Sequence, residues 1–248
     1  MYIRTLSSAV AILLASIGTA LAACPNVSWQ QLTDTLKANI APTGGPSNGG
    51  LDFNMWATIV SPEGRVCMVT KSGDSLNAQW LGSRVISAQK ANTAVLFSLT
   101  QGLALSTANL YAAVQPGGSL FGLQFSNPVN PHAAYRGNEQ AYGTDNDPLV
   151  GSQVGGVNVF GGGLPLYDGS GNLIGALGVS GDTSCADHNV AWRVRQTLGL
   201  NNVPAGVNEV EGNDNIIYDD VDGNNNGVVD GFEHPECGNN EKAVNATL

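Results

Sequence analysis

The acidic C-terminal segment carries oxygen-bearing side chains at the spacing of a calcium-binding loop. In residues 222–233, Asp or Asn fills loop positions 1, 3, 5 and 9, Gly227 stands at position 6, and Glu closes the loop at position 12. A hard cation of this size takes roughly six to eight oxygens, so the chain must wrap around it, and a glycine permits the sharp turn. The spacing predicts a structural Ca²⁺ site with these ligands: Asp222, Asn224, Asn226, the Val228 carbonyl, Asp230 and Glu233.

The residues after this loop leave a second interpretation open. His234-Pro235 follows directly, and proline prevents the second helix of a regular EF-hand from starting there. We therefore predict a lone loop that stiffens an extracellular tail. The alternative is a solvated turn rich in Asn, Gly and Asp.

The chain has four cysteines, an even number, at positions 24, 67, 185 and 237. In an exported protein all four can pair. Three connectivities are open, and chain order favours Cys24–Cys67 with Cys185–Cys237, each bond contributing about 2–4 kcal/mol of stability. Cys185, at the start of a predicted helix, could instead be an activated thiol.

The N-terminus predicts export. Arg4, the apolar run Ala9–Ile17 and small residues ending at Ala22 follow one another in the order of a signal peptide covering residues 1–22. A buried N-terminal helix is the alternative for this segment. Residues 21–24 also resemble a lipobox, which would lipidate Cys24 and leave one cysteine unpaired. We expect a periplasmic or secreted protein, with a lipid anchor through Cys24 as the alternative.

The charge of the chain excludes one class of partner. The formal net charge is −10, and half of the 20 acidic residues lie between Glu209 and Glu241. Nucleic-acid binding depends on basic residues that neutralise phosphates, so we expect no nucleic-acid partner.

Beyond the leader, no apolar run is long enough for a transmembrane helix. We expect a domain over residues 23–205 and an acidic tail over residues 206–248.

The elements that must position these residues alternate in type. Hydrophobic periodicity predicts helices over Ser28–Ile40, Ser83–Leu99 and Ser106–Val114 and a last helix from Ser184 to Leu198. Strands are predicted over Phe53–Val60, Arg65–Lys71, Val157–Phe160, Leu164–Asp168 and Leu173–Ser180. A polar segment over residues 125–156 interrupts them and is typical of a functional loop or an oligomer arm. This order indicates an α+β domain on a mainly antiparallel sheet.

Three motifs resemble a known family. They are Ser83-Arg84 through Ala94, Gly161–Leu166, and Leu173–Gly181 followed by Asp187. Together they resemble the GlcG/HbpS-like family, which is often labelled haem-binding or haem-degrading, over roughly residues 29–200. The resemblance implies a profilin-like fold, a five-stranded antiparallel sheet flanked by helices, and a homo-oligomer. The insertion, the acidic tail and the four cysteines depart from the family pattern.

With this resemblance, the motifs and the last helix give the candidate ligand-binding residues: Arg84, Lys90, Thr93, Gly162, Asp187 and His188. His188 is the candidate haem ligand or acid–base group, or else a structural histidine. Arg84 and Lys90 could face haem propionates or a small carboxylate, or lie on a solvated or intersubunit surface. His132 could serve a site completed by another subunit.

The sequence contains no motif that would combine a catalytic nucleophile with a general base and a residue that orients the base. The first hypothesis is an exported protein that binds haem or another small molecule without catalysis. The alternatives are an enzyme acting on haem or a small metabolite, and a homo-oligomeric structural protein.

Overall fold

The computed structural model describes residues 23–208, 212–218 and 231–248; the predicted signal peptide lies outside them. The helices are α1 (Trp29–Ala38), α2 (Ser83–Leu96), α3 (Leu123–Ser126), α4 (Pro131–Ala134), α5 (Ser184–Thr197) and α6 (Glu241–Asn245). The strands are β1 (Trp56–Val60), β2 (Val66–Lys71), β3 (Leu103–Ala104), β4 (Gly163–Tyr167), β5 (Leu173–Ser180) and β6 (Ala205–Gly206). The expected α+β class is confirmed.

In the described part of the chain the main sheet has four antiparallel strands in the order β2-β1-β5-β4, and β3 pairs with β6 separately. The expectation of a fifth strand over Val157–Phe160 is wrong. Asn158 donates its backbone N–H to the Thr93 hydroxyl at 2.9 Å, and its own side chain accepts from the Phe160 N–H at 3.2 Å. These side-chain bonds replace the ladder bonds that a fifth strand would need.

Apolar side chains fill both faces of this sheet. Successive strand residues point to opposite faces, so Ile59 packs with α1 and α5 while Val60 packs with α2. Helix α2 lies close against β5 because Gly178 has no side chain: a Cβ added there would lie 1.9 Å from the Ser87 carbonyl oxygen.

Helix α1 lies within the predicted range Ser28–Ile40, and Ser28 forms a capping box with Gln31 at its start. The helix predicted over Ser106–Val114 is wrong, because this segment forms two short 3₁₀ turns. The Asn109 side chain accepts from both the backbone N–H and the hydroxyl of Ser106, at 3.0 and 2.8 Å. Such local bonds compete with a continuous helix.

Both disulfides predicted from chain order are confirmed. Cys24 is bonded to Cys67 on β2, and Cys185 on α5 is bonded to Cys237 in the C-terminal segment. Because the Cys24 sulfur forms this bond, it cannot at the same time carry a thioether-linked lipid. No described helix is both long enough and apolar enough to cross a bilayer.

Candidate functional site

Arg84 fastens the insertion to α2. Its guanidinium is buried and forms a two-pronged ion pair with the Asp147 carboxylate, in which Nε donates to Oδ2 at 2.9 Å. A third bond reaches the Ala134 carbonyl at 3.2 Å, and the guanidinium stacks 3.6 Å from the centre of the Tyr142 ring. Arg84 therefore holds residues of the insertion and does not face solvent.

Lys90, Asp187 and Gly162, three of the candidate ligand-binding residues, lie together. The Lys90 ammonium donates to Asp187 at 2.7 Å and to the Val179 carbonyl at 3.2 Å. Burial raises the pKa of the Asp187 carboxyl to about 6, and the attraction of Lys90 offsets only part of this effect. A Cβ on Gly162 would lie 2.9 Å from the Asp187 Cβ, so glycine lets the chain cross directly over the ion pair.

The other carboxylate oxygen of Asp187 has a structural use. It accepts the backbone N–H groups of Gly181 and Asp182 at 3.0 and 2.9 Å. Asp187 thus links α2, the end of β5 and the start of α5. All its oxygens are used within the protein, which favours a positioning role for this group.

His188 is completely buried under residues 212–218. Its Nε2 accepts the Ile216 N–H at 3.1 Å and lies 3.1 Å from the Asn215 side-chain oxygen, while Nδ1 has no partner among the described residues. Burial lowers the pKa of the imidazole to about 3. A ligand could reach His188 only if that segment moved away, and the ligand role of His188 stays a prediction.

Thr93 lies apart from the ion pair. Its hydroxyl donates to the Gln89 carbonyl at 2.8 Å and accepts from Asn158, so it supports the segment before β4. In the described part of the chain all six predicted binding residues are buried, and Arg84 and Thr93 form contacts separate from the Lys90–Asp187 ion pair.

An open groove lies beside the C-terminal half of α2. It has a volume of about 630 Å³, and we call it the α2 groove. Its lining consists of Glu63, Asn92, Leu96, Phe97, Ser126, Asn127, Pro128, Gln153, Gly155, Gly156 and Val157. The Asn92 side chain donates to the Gly156 carbonyl at 2.9 Å and so joins the insertion to the helix. The sequence signal for this site was the long insertion, which supplies much of the wall.

Residues 50–195 match the model of a family described as "Haem degrading protein HbpS-like". This range is more than half of the 248-residue chain. The chain belongs to the HbpS-like family. Its HbpS-like region contains the sheet, α2 and most of α5, and it ends before residues 212–218, which cover His188.

Several solved structures are similar to this HbpS-like chain. Klebsiella pneumoniae protein ORFY is 22% identical, with 70% of this chain and 90% of that chain covered and a TM-score of 0.46. A double mutant of Streptomyces reticuli HbpS is 15% identical, with coverages of 77% and 99% and a TM-score of 0.45. The PduOC:haem complex is 24% identical, with coverages of 67% and 88% and a TM-score of 0.44. Curated protein sequences give no match.

The other two histidines occupy different surroundings. His132 is exposed at the start of α4, four residues after the groove residue Pro128. His234 is buried beside α5, with Nδ1 donating to the Pro235 carbonyl at 2.8 Å. Sequence reasoning ranked His188 first, because it could not show which histidine the fold leaves accessible.

Of the predicted calcium ligands, only Glu233 lies within the described residues. Asp222, Asn224, Asn226, Val228 and Asp230 lie outside them. Glu233 is buried, its carbonyl accepts the Ala112 N–H at 3.1 Å, and its carboxylate accepts the Phe232 N–H at 3.0 Å. The last residue of the predicted loop therefore contacts the body of the protein.

Proposed function

We propose that this chain is an exported protein that binds haem or another small molecule without turning it over, and that the α2 groove holds the ligand. The observation that carries the proposal is the groove itself. Its volume of about 630 Å³ falls within the roughly 300–1,000 Å³ of small-molecule sites. The description of the family, which names haem, supports haem as the first ligand to test.

The lining combines apolar and polar side chains. Leu96, Phe97 and Val157 offer apolar surface, while Asn92 and Gln153 offer amide groups. The lining contains no Lys or Arg and includes Glu63, so it offers no cation to pair with the propionates of a haem. Haem, when bound, would supply an iron centre with redox chemistry.

His132, four residues after the groove residue Pro128 in the sequence, is the candidate iron ligand. Its imidazole is exposed, whereas His188 and His234 are buried and hydrogen-bonded. A neutral imidazole is the common protein ligand for such a metal. His188, the first choice from the sequence, remains the alternative if residues 212–218 can open.

Binding is favoured over turnover because the buried titratable groups do not line the groove. Lys90, Asp187 and His188 all form hydrogen bonds inside the protein. The second candidate function is oxidative breakdown of haem, which the description of the family favours. Reductant and oxygen added to the haem-loaded protein separate the two. Binding alone leaves the pigment intact, whereas turnover bleaches the Soret band and releases a product.

A haemin titration of the mature protein tests the groove. We expect a saturable Soret shift with one haem per chain, and a loss of affinity of at least tenfold in Leu96→Gln, since a polar group would replace apolar contact area. Leu81→Gln is the matched control, because Leu81 is similarly exposed but does not line the groove. His132→Ala should change the Soret position. A tight shift unaltered in both Leu96→Gln and His132→Ala would refute the site.

Export and the calcium loop belong to the same proposal. Two disulfides support an oxidising compartment, and the contact of Glu233 with the body supports a loop that stiffens the tail. Mass spectrometry of the native mature protein tests export: we expect a chain lacking residues 1–22, with both disulfides formed and no lipid on Cys24. An intact leader with four free thiols would contradict it.

A further inference from the structure

Three side chains of the type that bind soft metal ions meet at the start of α5. They are Cys185, His234 and Cys237, and their ligand atoms all lie within 4.8 Å of one another. The two sulfurs are joined as a disulfide. We infer that the dithiol form of this cluster is a site for zinc or a similar thiophilic divalent ion. A bound metal ion would then replace the disulfide in linking the C-terminal segment to α5.

One ring nitrogen of His234 is hydrogen-bonded to a backbone carbonyl, as is common for metal-binding histidines. The Pro235 carbonyl can only accept, so the 2.8 Å contact places the proton of His234 on Nδ1 and leaves the lone pair on Nε2. A bond from the second ring nitrogen to a backbone carbonyl is the common means of orienting a metal-ligating histidine. Nε2 faces the Ser184 hydroxyl at 3.1 Å, and this hydroxyl lies 3.5 Å from the Cys237 sulfur. Nδ1 lies 3.9 Å from the Cys185 sulfur, so a metal bound through Nε2 requires a small rotation of the ring.

The start of α5 supplies a backbone donor to one of the two sulfurs. The Cys185 N–H, in the first turn of the 14-residue helix α5, donates to the Cys237 sulfur at 3.2 Å. Two thiolates and one imidazole supply three positions of a tetrahedral zinc site, and the Ser184 hydroxyl or a water supplies the fourth.

Hydrogen bonds also hold this segment, in addition to the disulfide. The Glu241 carboxylate accepts the backbone N–H groups of Cys237, Gly238 and Asn239 at 2.6 to 3.1 Å. The His234 N–H donates to the Ile217 carbonyl at 2.8 Å. The sulfurs need only separate from about 2.05 Å, as in a disulfide, to about 3.8 Å, as between two sulfurs on one zinc.

The reaction balances with a thiol or phosphine reductant. Two electrons from the reductant and two protons from solvent cleave the S–S bond and give two thiols. A divalent ion then replaces both thiol protons, which return to solvent, and it also binds the neutral imidazole. Removal of the ion and oxidation by two electrons restore the disulfide.

Co²⁺ binding to a chain that carries Cys24→Ser and Cys67→Ser tests the inference, because the only cysteines left are Cys185 and Cys237. After anaerobic reduction and removal of the reductant, we expect one equivalent of Co²⁺ with a thiolate-to-metal charge-transfer band, which Zn²⁺ abolishes. The thiolate band separates this site from carboxylate sites in the acidic tail. His234→Asn should weaken Co²⁺ binding by more than about tenfold, the loss that even outer-shell partners cause.

The matched control is Glu236→Gln, which changes an exposed residue between the proposed ligands His234 and Cys237. It should leave the affinity for Co²⁺ unchanged. Alkylation of Cys185 and Cys237, followed by mass spectrometry, gives a second measurement: Zn²⁺ should protect both thiols in the parent chain and not in His234→Asn. The absence of the charge-transfer band overturns the inference. Equal affinities for His234→Asn and Glu236→Gln also overturn it, and this result would identify binding by an unfolded chain.

Discussion

Lys90 is buried in α2, and its charge is balanced by Asp187, 2.7 Å away. Removing one partner of such a pair leaves a buried charge without compensation, which costs about 3–5 kcal/mol. Lys90→Met should therefore lower the free energy of unfolding in urea by this amount. Lys90→Met combined with Asp187→Leu should recover part of the loss. A cost below about 1 kcal/mol for Lys90→Met would show that the pair behaves like a solvated one.

His188 gives a pH dependence with a defined sign. Its pKa is lowered to about 3 in the folded protein from 6.5 in the unfolded chain. Below pH 6.5 the unfolded chain binds a proton that the folded protein does not, so stability falls as the pH falls. Asp187, with a pKa raised to about 6, acts in the opposite sense as the pH falls from 6 towards 3.8.

Comparison with His188→Asn separates these two contributions, because the variant keeps Asp187. One pH unit corresponds to about 1.4 kcal/mol, so the stability advantage of the wild type over His188→Asn should shrink by about 2 kcal/mol between pH 7 and pH 5. Urea denaturation at both pH values measures this difference. A constant difference would mean that His188 takes up its proton in the folded state as readily as in the unfolded chain.

At the scale of elements, α2 packs closely against β5 because Gly178 has no side chain. Gly178→Ala would place a Cβ 1.9 Å from the Ser87 carbonyl oxygen, and this backbone atom cannot move without shifting the helix. We expect a loss of about 1–3 kcal/mol, measured by thermal or urea denaturation. Gly169→Ala, in the β4–β5 turn, is the control because nothing lies within 4 Å of the added atom. Equal effects of the two substitutions would contradict close packing at Gly178.

Periodicity located most elements of the body, and its errors have a common cause. The predicted strand at Val157–Phe160 and the predicted helix at Ser106–Val114 are both replaced by irregular segments held by side-chain bonds. Periodicity reports which residues are apolar and not which hydroxyl or amide competes for the backbone. Local periodicity also could not predict that Arg84 forms a buried ion pair, because its partner Asp147 is 63 positions away in the sequence. The α2 groove likewise forms between residues that are far apart in the sequence, such as Asn92 and Gly156.

At the scale of the whole molecule, two segments pack against the sheet and its helices: residues 125–156 and the C-terminal segment after α5. The insertion is bound to α2 through Arg84 and forms part of the wall of the α2 groove. The C-terminal segment covers His188 and is held to α5 by Cys185–Cys237. A calcium ion bound by residues 222–233 would add to the contacts that hold this segment over His188.

Calcium dependence of stability tests this arrangement. Extracellular loops of this kind have dissociation constants of about 0.1–1 mM, so about 10 mM Ca²⁺ should add about 1.4–2.7 kcal/mol. This corresponds to a rise in Tm of about 3–11 °C over the chelated protein for a domain of this size. Asp222→Ala should abolish the difference between calcium and chelator, whereas Asp145→Ala, outside the loop, should preserve it. If chelator leaves the Tm of the wild type unchanged, residues 222–233 are a solvated turn, and the tail is held without calcium by the disulfide and by hydrogen bonds such as those of Glu241.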